Sequence, residues 1–597
     1  MNVAEFVMQF LAEHGVRDLF LVSGGGIMYL TDAVGRAGVP RFWCNYHEQA
    51  CAIAAEAFAR IQGTPGVCLV TSGPGATNAL SAIAGAWVDS IPVIVLSGQV
   101  RTDLVADYTK WRQLGPQEID IVAMAKPVTK LAMEVTDPAE APALLEAAWE
   151  AVTTGRPGPV WLSLPLDVQG ATLETPPNRE GIAGERAAGR RPADRETAGI
   201  IDAVAGELRR SRRPVIVAGN GVHLARAEAL FARFVERLRI PTVSTIGAMD
   251  LLGETHPYYA GRFGPTGQRR ANFTVQNADL VLSIGSGLSV AAIGFDGAGF
   301  APKARKIMVN VDGNEGRRPH VNLDLVVTMD AGRFMEQLAS AIESDEFIGD
   351  PAWDRAWRAW KERFPIMTPD YTADTGHVNS YYLAHALSKV VDAKGVVLTG
   401  NSLDAHSIFH SFAPTMGQRV ITNVNYGAMG WDLPALVGAC AARPEARVIL
   451  VTGDGSILFN AQELVTIGSN RMNAAIFVLN NGGYQSIRTT QTRYFDGRLV
   501  GADAASGIAN PDFEQLAAAC GLAYARLDNN GQVDKRLGDI AHSSGPLLCE
   551  VNVAYGQERT PRVMSRRLAD GTMVSGTLQD QYPFLPREEI LSLMLGD

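Results

Sequence analysis

Arg447-Val-Ile-Leu-Val-Thr452-Gly-Asp-Gly-Ser456 opens the stretch that decides the fold; it continues through Ala461-Gln-Glu-Leu-Val-Thr-Ile467 to Ala474-Ala-Ile-Phe-Val-Leu-Asn-Asn481. The first and last segments are short apolar runs of β type, and the middle one has the spacing of a helix. The unit reads strand, glycine turn, helix, strand. Its polar groups fall at the carboxyl ends of both strands, where ligands bind in an open parallel sheet. Asp454 and Asn481 are 27 positions apart, yet parallel neighbours would bring them side by side. A carboxylate and an amide oxygen are hard ligands suited to Mg2+ or Ca2+, and Mg2+ usually takes few protein groups and completes its shell with phosphate oxygens. Gly453 and Gly455 let the backbone approach a phosphate closely.

The same alternation of apolar strands and amphipathic helices runs through most of the chain, so the expected class is α/β with three doubly wound parallel-sheet domains. The first spans 1–170, with strands at Asp18–Val22, Gly66–Thr71, Pro92–Leu96 and Pro159–Leu164. A polar linker is expected at 171–197. The central block, 198–343, holds Arg213–Gly219, Leu280–Gly285 and Lys306–Val311. A second linker, 344–376, reads as a helical connector packed on the surface. The third block, 377–553, begins with a helix near Ser380 and includes Gly395–Thr399 and Pro546–Asn552. The tail, 554–597, shows little periodicity, and its length suits a cover over a site. Blocks one and three could share a fold, although their residues are too dissimilar to establish it.

The 597 residues carry a net charge of -10, with 47% hydrophobic and 19% charged residues. That describes an ordinary globular protein and argues against nucleic acid or an anionic membrane as partner. Cys44, Cys51, Cys68, Cys440, Cys520 and Cys549 form no C-x-x-C pair and suit a reducing compartment. No run is long enough to span a bilayer. A cytoplasmic protein is expected.

Gly453-Asp-Gly-Ser456 followed by Asn480-Asn481 resembles the diphosphate-and-metal motif of thiamine diphosphate-dependent enzymes. The resemblance implies Mg2+ on Asp454, Asn481 and the carbonyl of Gly483. In the first block His47-Glu48-Gln49, before an alanine-rich helix, resembles the segment with the catalytic glutamate of the acetolactate synthase family. The cofactor reacts through the carbanion at thiazolium C2, whose proton its own exocyclic amine must take. A glutamic acid on the pyrimidine nitrogen favours the tautomer that can do so, a proton relay in which position matters most. In this family the glutamate of one subunit reaches cofactor held mainly by the other, which implies a homodimer or homotetramer with interface sites.

Further matches extend from Glu5 to about Phe584. Asn425-Tyr-Gly-Ala-Met429 resembles the segment supporting the bent cofactor: Met429 between its rings, a place for a flexible thioether, and the carbonyl of Gly427 on the aminopyrimidine. Gly400-Asn401-Ser402 is a second contact to the diphosphate, beside Gly453, Gly455 and Ser456. Gln117 lies where the family places an active-site glutamine, with Pro116 in place of an aromatic residue. Gly25, in Val22-Ser-Gly-Gly-Gly-Ile-Met28, resembles the turn lining the reaction centre, and reads equally as an ordinary tight turn. Leu166 replaces a lysine usual in true acetolactate synthases. Ser565-to-Met573 looks more like carboligases that transfer a two-carbon unit from pyruvate to keto-sugars. In the family the middle block binds FAD; Gly287 stands where an arginine is common, so FAD stays open.

These readings imply a carboligase that decarboxylates pyruvate or a related 2-keto acid and transfers the acyl carbanion to a carbonyl acceptor. The alternatives are a 2-keto acid decarboxylase, an acetyltransferase, a diketone hydrolase, or a noncatalytic cofactor-binding paralogue. Decarboxylases of the pyruvate type usually carry adjacent histidines, and this chain has none.

Overall fold

The computed structural model describes residues 1–173, 194–342, 349–373, 375–423, 425–567, 570 and 572–596. Three six-stranded sheets, all parallel and flanked by helices, account for its mass. Numbered along the chain within each block, the strands of the first sheet lie in the order 2-1-3-4-6-5, and the third sheet repeats that order. Topology thus pairs the two blocks, which residue comparison could not. The middle sheet runs 6-5-4-1-2-3, the order of dinucleotide-binding domains read from the other edge.

The expected strands form within a residue or two, except that Val93–Gln99 runs three residues past its expected end: Asp18–Leu21, Gly66–Val70, Val93–Gln99 and Val160–Pro165; then Pro214–Ala218, Leu280–Ile284 and Arg305–Asn310; then Val396–Thr399, Val448–Gly453, Ala474–Asn480 and Leu547–Asn552. They are continuous apolar runs because helices cover both sheet faces. Strands not expected include Arg41–Cys44, Leu131–Glu134, Thr242–Ser244, Tyr259–Arg262, Leu325–Thr328, Arg419–Ile421 and Ala523–Leu527. Most lie at or next to a sheet edge.

Blocks one and three share a core. The helix Glu48–Gln62 is rich in alanine and lies against the helix Asp432–Ala442, every residue of which is buried. A side chain at Gly438 would strike the carbonyl of Ala54, so the glycine sets how closely the helices approach. Glu56 is sealed at this seam, accepting from Arg60 and from the indole of Trp431 at 2.9 Å.

One expectation needs correction and one gains detail. The connector expected on the surface is the helix Pro351–Arg363, and its apolar side is internal: Trp353, Trp357 and Trp360 are 3%, 1% and 4% exposed, packed with Phe273 and Val275 in the second core of the middle block. Tryptophans spaced three and four apart share one helix face; the intervening charges face water. Trp357→Ala is expected to cost about 3–5 kcal/mol, read as a lower urea midpoint for the middle-block transition. The tail, in turn, is a strap along the middle block. Val563 N–H donates to Pro265 at 2.7 Å, Gln581 to Gly267 at 2.9 Å and Leu595 N–H to Asn277 at 2.6 Å. It ends in the helix Arg587–Leu593.

The polar linker expected at 171–197 lies outside the described residues over 174–193, as do residue 343 of the central block, 344–348 and 374 of the second linker and part of the Ser565-to-Met573 segment. All six cysteines are free, four of them buried. Among the described residues no helix is long and apolar enough to cross a membrane.

Candidate functional site

In the 2-1-3-4-6-5 order the chain reverses direction between strands 1 and 3, and ligands bind at such a switch point. In the third block these strands are Val396–Thr399 and Val448–Gly453, paired from Val396↔Val448 to Thr399↔Val451. Their carboxyl ends deliver Gly400-Asn401-Ser402 and Gly453-Asp454-Gly455-Ser456 to one place. The next strand, Ala474–Asn480, is in register with Gly453 opposite Leu479. Asp454 therefore meets Asn481, as the spacing led one to expect.

Asp454 is buried, and one of its oxygens accepts from Asn481 N–H at 3.2 Å, Gly483 N–H at 2.8 Å and the amide of Asn510 at 2.7 Å. Burial pushes its carboxyl above the ordinary carboxylate range, against the pull of those three donors. Gly482 and Gly483 have φ of 76° and 122°, which only glycine adopts freely. They turn the chain back over Asp454, and a side chain at Gly483 would strike Ala502. Arg488 closes the turn, donating to the carbonyls of Asn481 at 2.9 Å and Tyr555 at 3.0 Å.

The other third-block candidates join this cluster. The amide of Asn401 donates to the carbonyl of Gly427. Ser402 and Ser486 share a hydroxyl contact of 2.6 Å. Ser456 accepts from Gly430 N–H at 3.0 Å. Met429 is half-buried between Gly427 and Gly430, both at positive φ. Unspent polar capacity remains nearby: both side-chain atoms of Asn423, Oδ1 of Asn510 and Oε1 of Gln485 are buried without a hydrogen-bond partner. Buried orphans of this kind call for a ligand or water.

The first-block candidates gather at the equivalent switch point, around the turn Thr71–Gly75 that follows strand 3. Gly26 N–H donates to Thr71 at 3.1 Å, which ties in the Gly25 turn. A side chain at Gly73 would strike the backbone of Gln117, and one at Gly75 would sit 3.2 Å from Oε1 of Glu48. Gln117 takes φ of 62°, a conformation unusual for a residue with a side chain and concentrated at functional sites. Glu48, half-buried, starts its helix and accepts from Asn78 at 2.9 Å. Among the described residues no hydrogen bond or ion pair joins Glu48 to the Asp454 cluster of the same chain.

Two acids that the sequence reading passed over hold this arrangement. Glu463, fully buried, accepts from Asn45 at 2.8 Å and Tyr46 N–H at 2.9 Å; it ties the segment leading to Glu48 to the third block. Glu118 accepts backbone N–H bonds from Leu114 at 2.6 Å and Gly115 at 3.0 Å. Burial would raise its pKa, but these donors hold it below the usual range. Glu118 thereby fixes the loop carrying Gln117. The partners of Glu463 are remote in sequence and those of Glu118 are backbone N–H groups, and neither leaves a residue-type signal.

The middle block contributes a cleft of about 1210 Å3 lined by Asn220, Gly221, Gly285, Gly287 and, from the third block, Asn401 and Ser402. The place of a side chain at Gly287 is taken by the carboxylate of Glu315. Glu315 also holds two of the arginines that line the cleft, Arg156 and Arg318, each at 2.5 Å; Arg226 and Arg559 line it as well.

Residues 1–124, 201–338 and 401–551 match the N-terminal TPP binding, central and C-terminal TPP binding domains described for thiamine pyrophosphate enzymes. The chain is 31% identical over 565 residues to the acetolactate synthase isozyme 1 large subunit of Escherichia coli K12, covering 94% of this chain and 95% of that one. It is 31% identical over 562 residues to the probable acetolactate synthase large subunit of Methanocaldococcus jannaschii, with 92% of each covered. Over 558 residues it is 31% identical to the E. coli K12 isozyme 2 large subunit, covering 93% of this chain and 96% of that one.

Proposed function

The chain belongs to the thiamine pyrophosphate enzymes, as an acetolactate synthase-like transferase or lyase, and from that premise we propose a carboligase whose donor is pyruvate or a related 2-keto acid. The donor loses carbon dioxide, and its acyl group joins a carbonyl acceptor through a new carbon–carbon bond. The observation that carries this reading is the convergence of Asn401, Gly427, Asp454, Asn481 and Gly483 at the switch point of the third sheet.

The residues present fit a Mg–diphosphate group. Asp454, the amide of Asn481 and the carbonyl of Gly483 are all hard oxygen donors, and Mg2+ needs only one or two carboxylates besides phosphate. Among the described residues no cluster of three or more His, Cys, Asp or Glu competes for a metal. Asn401, Ser402 and Ser456 would supply donors to the diphosphate, and Met429 would pack against the bound cofactor. When bound, thiamine diphosphate supplies a carbanion equivalent that protein side chains cannot. Glu48 holds and moves the proton at the pyrimidine nitrogen. Gln117 and Gly25, both exposed in the single chain, would line the space where donor and acceptor meet.

FAD is left out of the proposed cofactor set. The cleft has the volume, but Glu315 fills the space beside Gly287 and, together with Asp312, pairs Arg156 and Arg318. Two copies of the chain are proposed to build each site. Tyr46, two residues before Glu48, is 61% exposed, and Phe42 and Phe459 are 53% and 54% exposed; a partner subunit would cover such residues.

The test is incubation of the purified protein with thiamine diphosphate, Mg2+ and labelled pyruvate, with and without candidate aldehydes and ketones. Carbon dioxide release and a product heavier than the acceptor are expected, from a preparation without flavin absorbance. Release that no acceptor diverts into a new product would favour a decarboxylase. No release from any 2-keto acid would remove the donor assignment.

A further inference from the structure

A second cavity, of about 250 Å3, lies where all three blocks meet. Ala59, Arg60 and Gly63 come from the first block, His223 and Arg226 from the middle one, and Arg419 from the third. It adjoins the large cleft and shares Thr153, Pro157, Asn220, Leu224, Arg226 and Gly247 with its wall. Neither Glu48 nor any residue of the Asp454 cluster lines it.

Its chemistry is one-sided. The four ionisable residues that line it are Arg60, His223, Arg226 and Arg419, and among the described residues no aspartate or glutamate does. The acids stand behind the wall and hold three of these side chains in place. Glu56 and Asp89 pin Arg60 at 2.5 and 2.6 Å. Asp250 pins Arg419 at 3.2 Å and His223 at 2.8 Å, and Glu228 takes the other nitrogen of His223 at 2.9 Å. Arg226 differs. Its guanidinium is exposed, donates to the carbonyls of Gln62 and Gly63 and, among the described residues, is paired with no carboxylate. The rest of the wall is apolar, with Ile91, Pro92, Val152, Leu224, Val420 and Ile421.

We propose that this three-block junction is a binding site for a small aliphatic monocarboxylate. The uncompensated guanidinium of Arg226 supplies a two-pronged partner for the carboxylate, and the apolar wall buries the tail. The volume is below the roughly 300–1,000 Å3 of drug-sized pockets, which restricts the ligand to a small metabolite. No wall carboxylate awaits an ammonium group, and the cations that line the cavity repel one, so an amino acid of the same shape is disfavoured. Gln62 and Gly63 end the helix that Glu48 begins. A carboxylate drawing Arg226 from those carbonyls is therefore felt along that helix.

Isothermal titration of isovalerate into the full-length protein, loaded with thiamine diphosphate and Mg2+, tests the assignment without requiring turnover. A failure there leaves the carboligase reading intact, and the reverse also holds. Isovalerate is expected to bind at least tenfold more tightly than leucine, isoamyl alcohol or inorganic phosphate. Arg226→Met should weaken it at least tenfold. Leu224→Trp, which fills the cavity and leaves every charge in place, should abolish it. The proposal is overturned if isovalerate gives no binding heat, if its affinity is unchanged in both variants, or if leucine or phosphate binds equally well.

Discussion

Glu48→Gln is expected to lower 2-keto acid consumption by about 10²–10⁴-fold, the usual contribution of a positioned proton-transfer group. The substitution keeps size and shape. Glutamine can still accept from Asn78, so the start of the helix Glu48–Gln62 should hold. What it removes is a proton that can be given up and taken back. Cofactor binding, measured as the rise in melting temperature with thiamine diphosphate and Mg2+, should change little, because the Asp454 cluster is untouched. The two readouts separate the possibilities. Loss of turnover with binding retained identifies a relay. Loss of both would make Glu48 a structural residue, and unchanged turnover would remove the relay altogether.

The core was legible in the sequence wherever burial is two-sided. Val448–Gly453 and Ala474–Asn480 are runs of apolar residues because both their faces are covered, and such runs are visible without knowledge of partners. The Asp454–Asn481 meeting followed from the same runs, since parallel pairing of adjacent strands fixes which ends coincide. The edge strands were not legible. Arg41–Cys44 is mostly exposed, so it lacks the apolar signature, and its pairing with Asp18–Leu21 is a tertiary fact. The helix Pro351–Arg363 was misplaced for a related reason: its tryptophans declare an apolar face but not what meets it. Glu463 and Glu118 escaped because their partners are backbone N–H groups and an asparagine distant or unremarkable in sequence. Position at the switch point came from strand order, which no local pattern encodes.

Asp454→Asn is expected to abolish turnover and, unlike Glu48→Gln, to abolish stabilisation by the cofactor. The buried carboxylate gathers three donors on one oxygen and is the charge a Mg–diphosphate group needs. Asparagine keeps the volume and loses the charge. Ligand at a hundred times its dissociation constant stabilises a fold by about 2.7 kcal/mol, so the wild-type melting temperature should rise with thiamine diphosphate and Mg2+ while that of the variant stays level. A mixture of the two variants then tests the composite site. In a twofold dimer each site takes Glu48 from one chain and Asp454 from the other. A hybrid of one Glu48→Gln chain and one Asp454→Asn chain holds one site with both substitutions and one with neither. Unfolding and refolding an equal mixture makes half the dimers hybrid, so recovery of about a quarter of wild-type activity is expected from two inactive parents. If Glu48 served the cofactor of its own chain, every site in the hybrid would carry one lesion, and mixing would recover nothing.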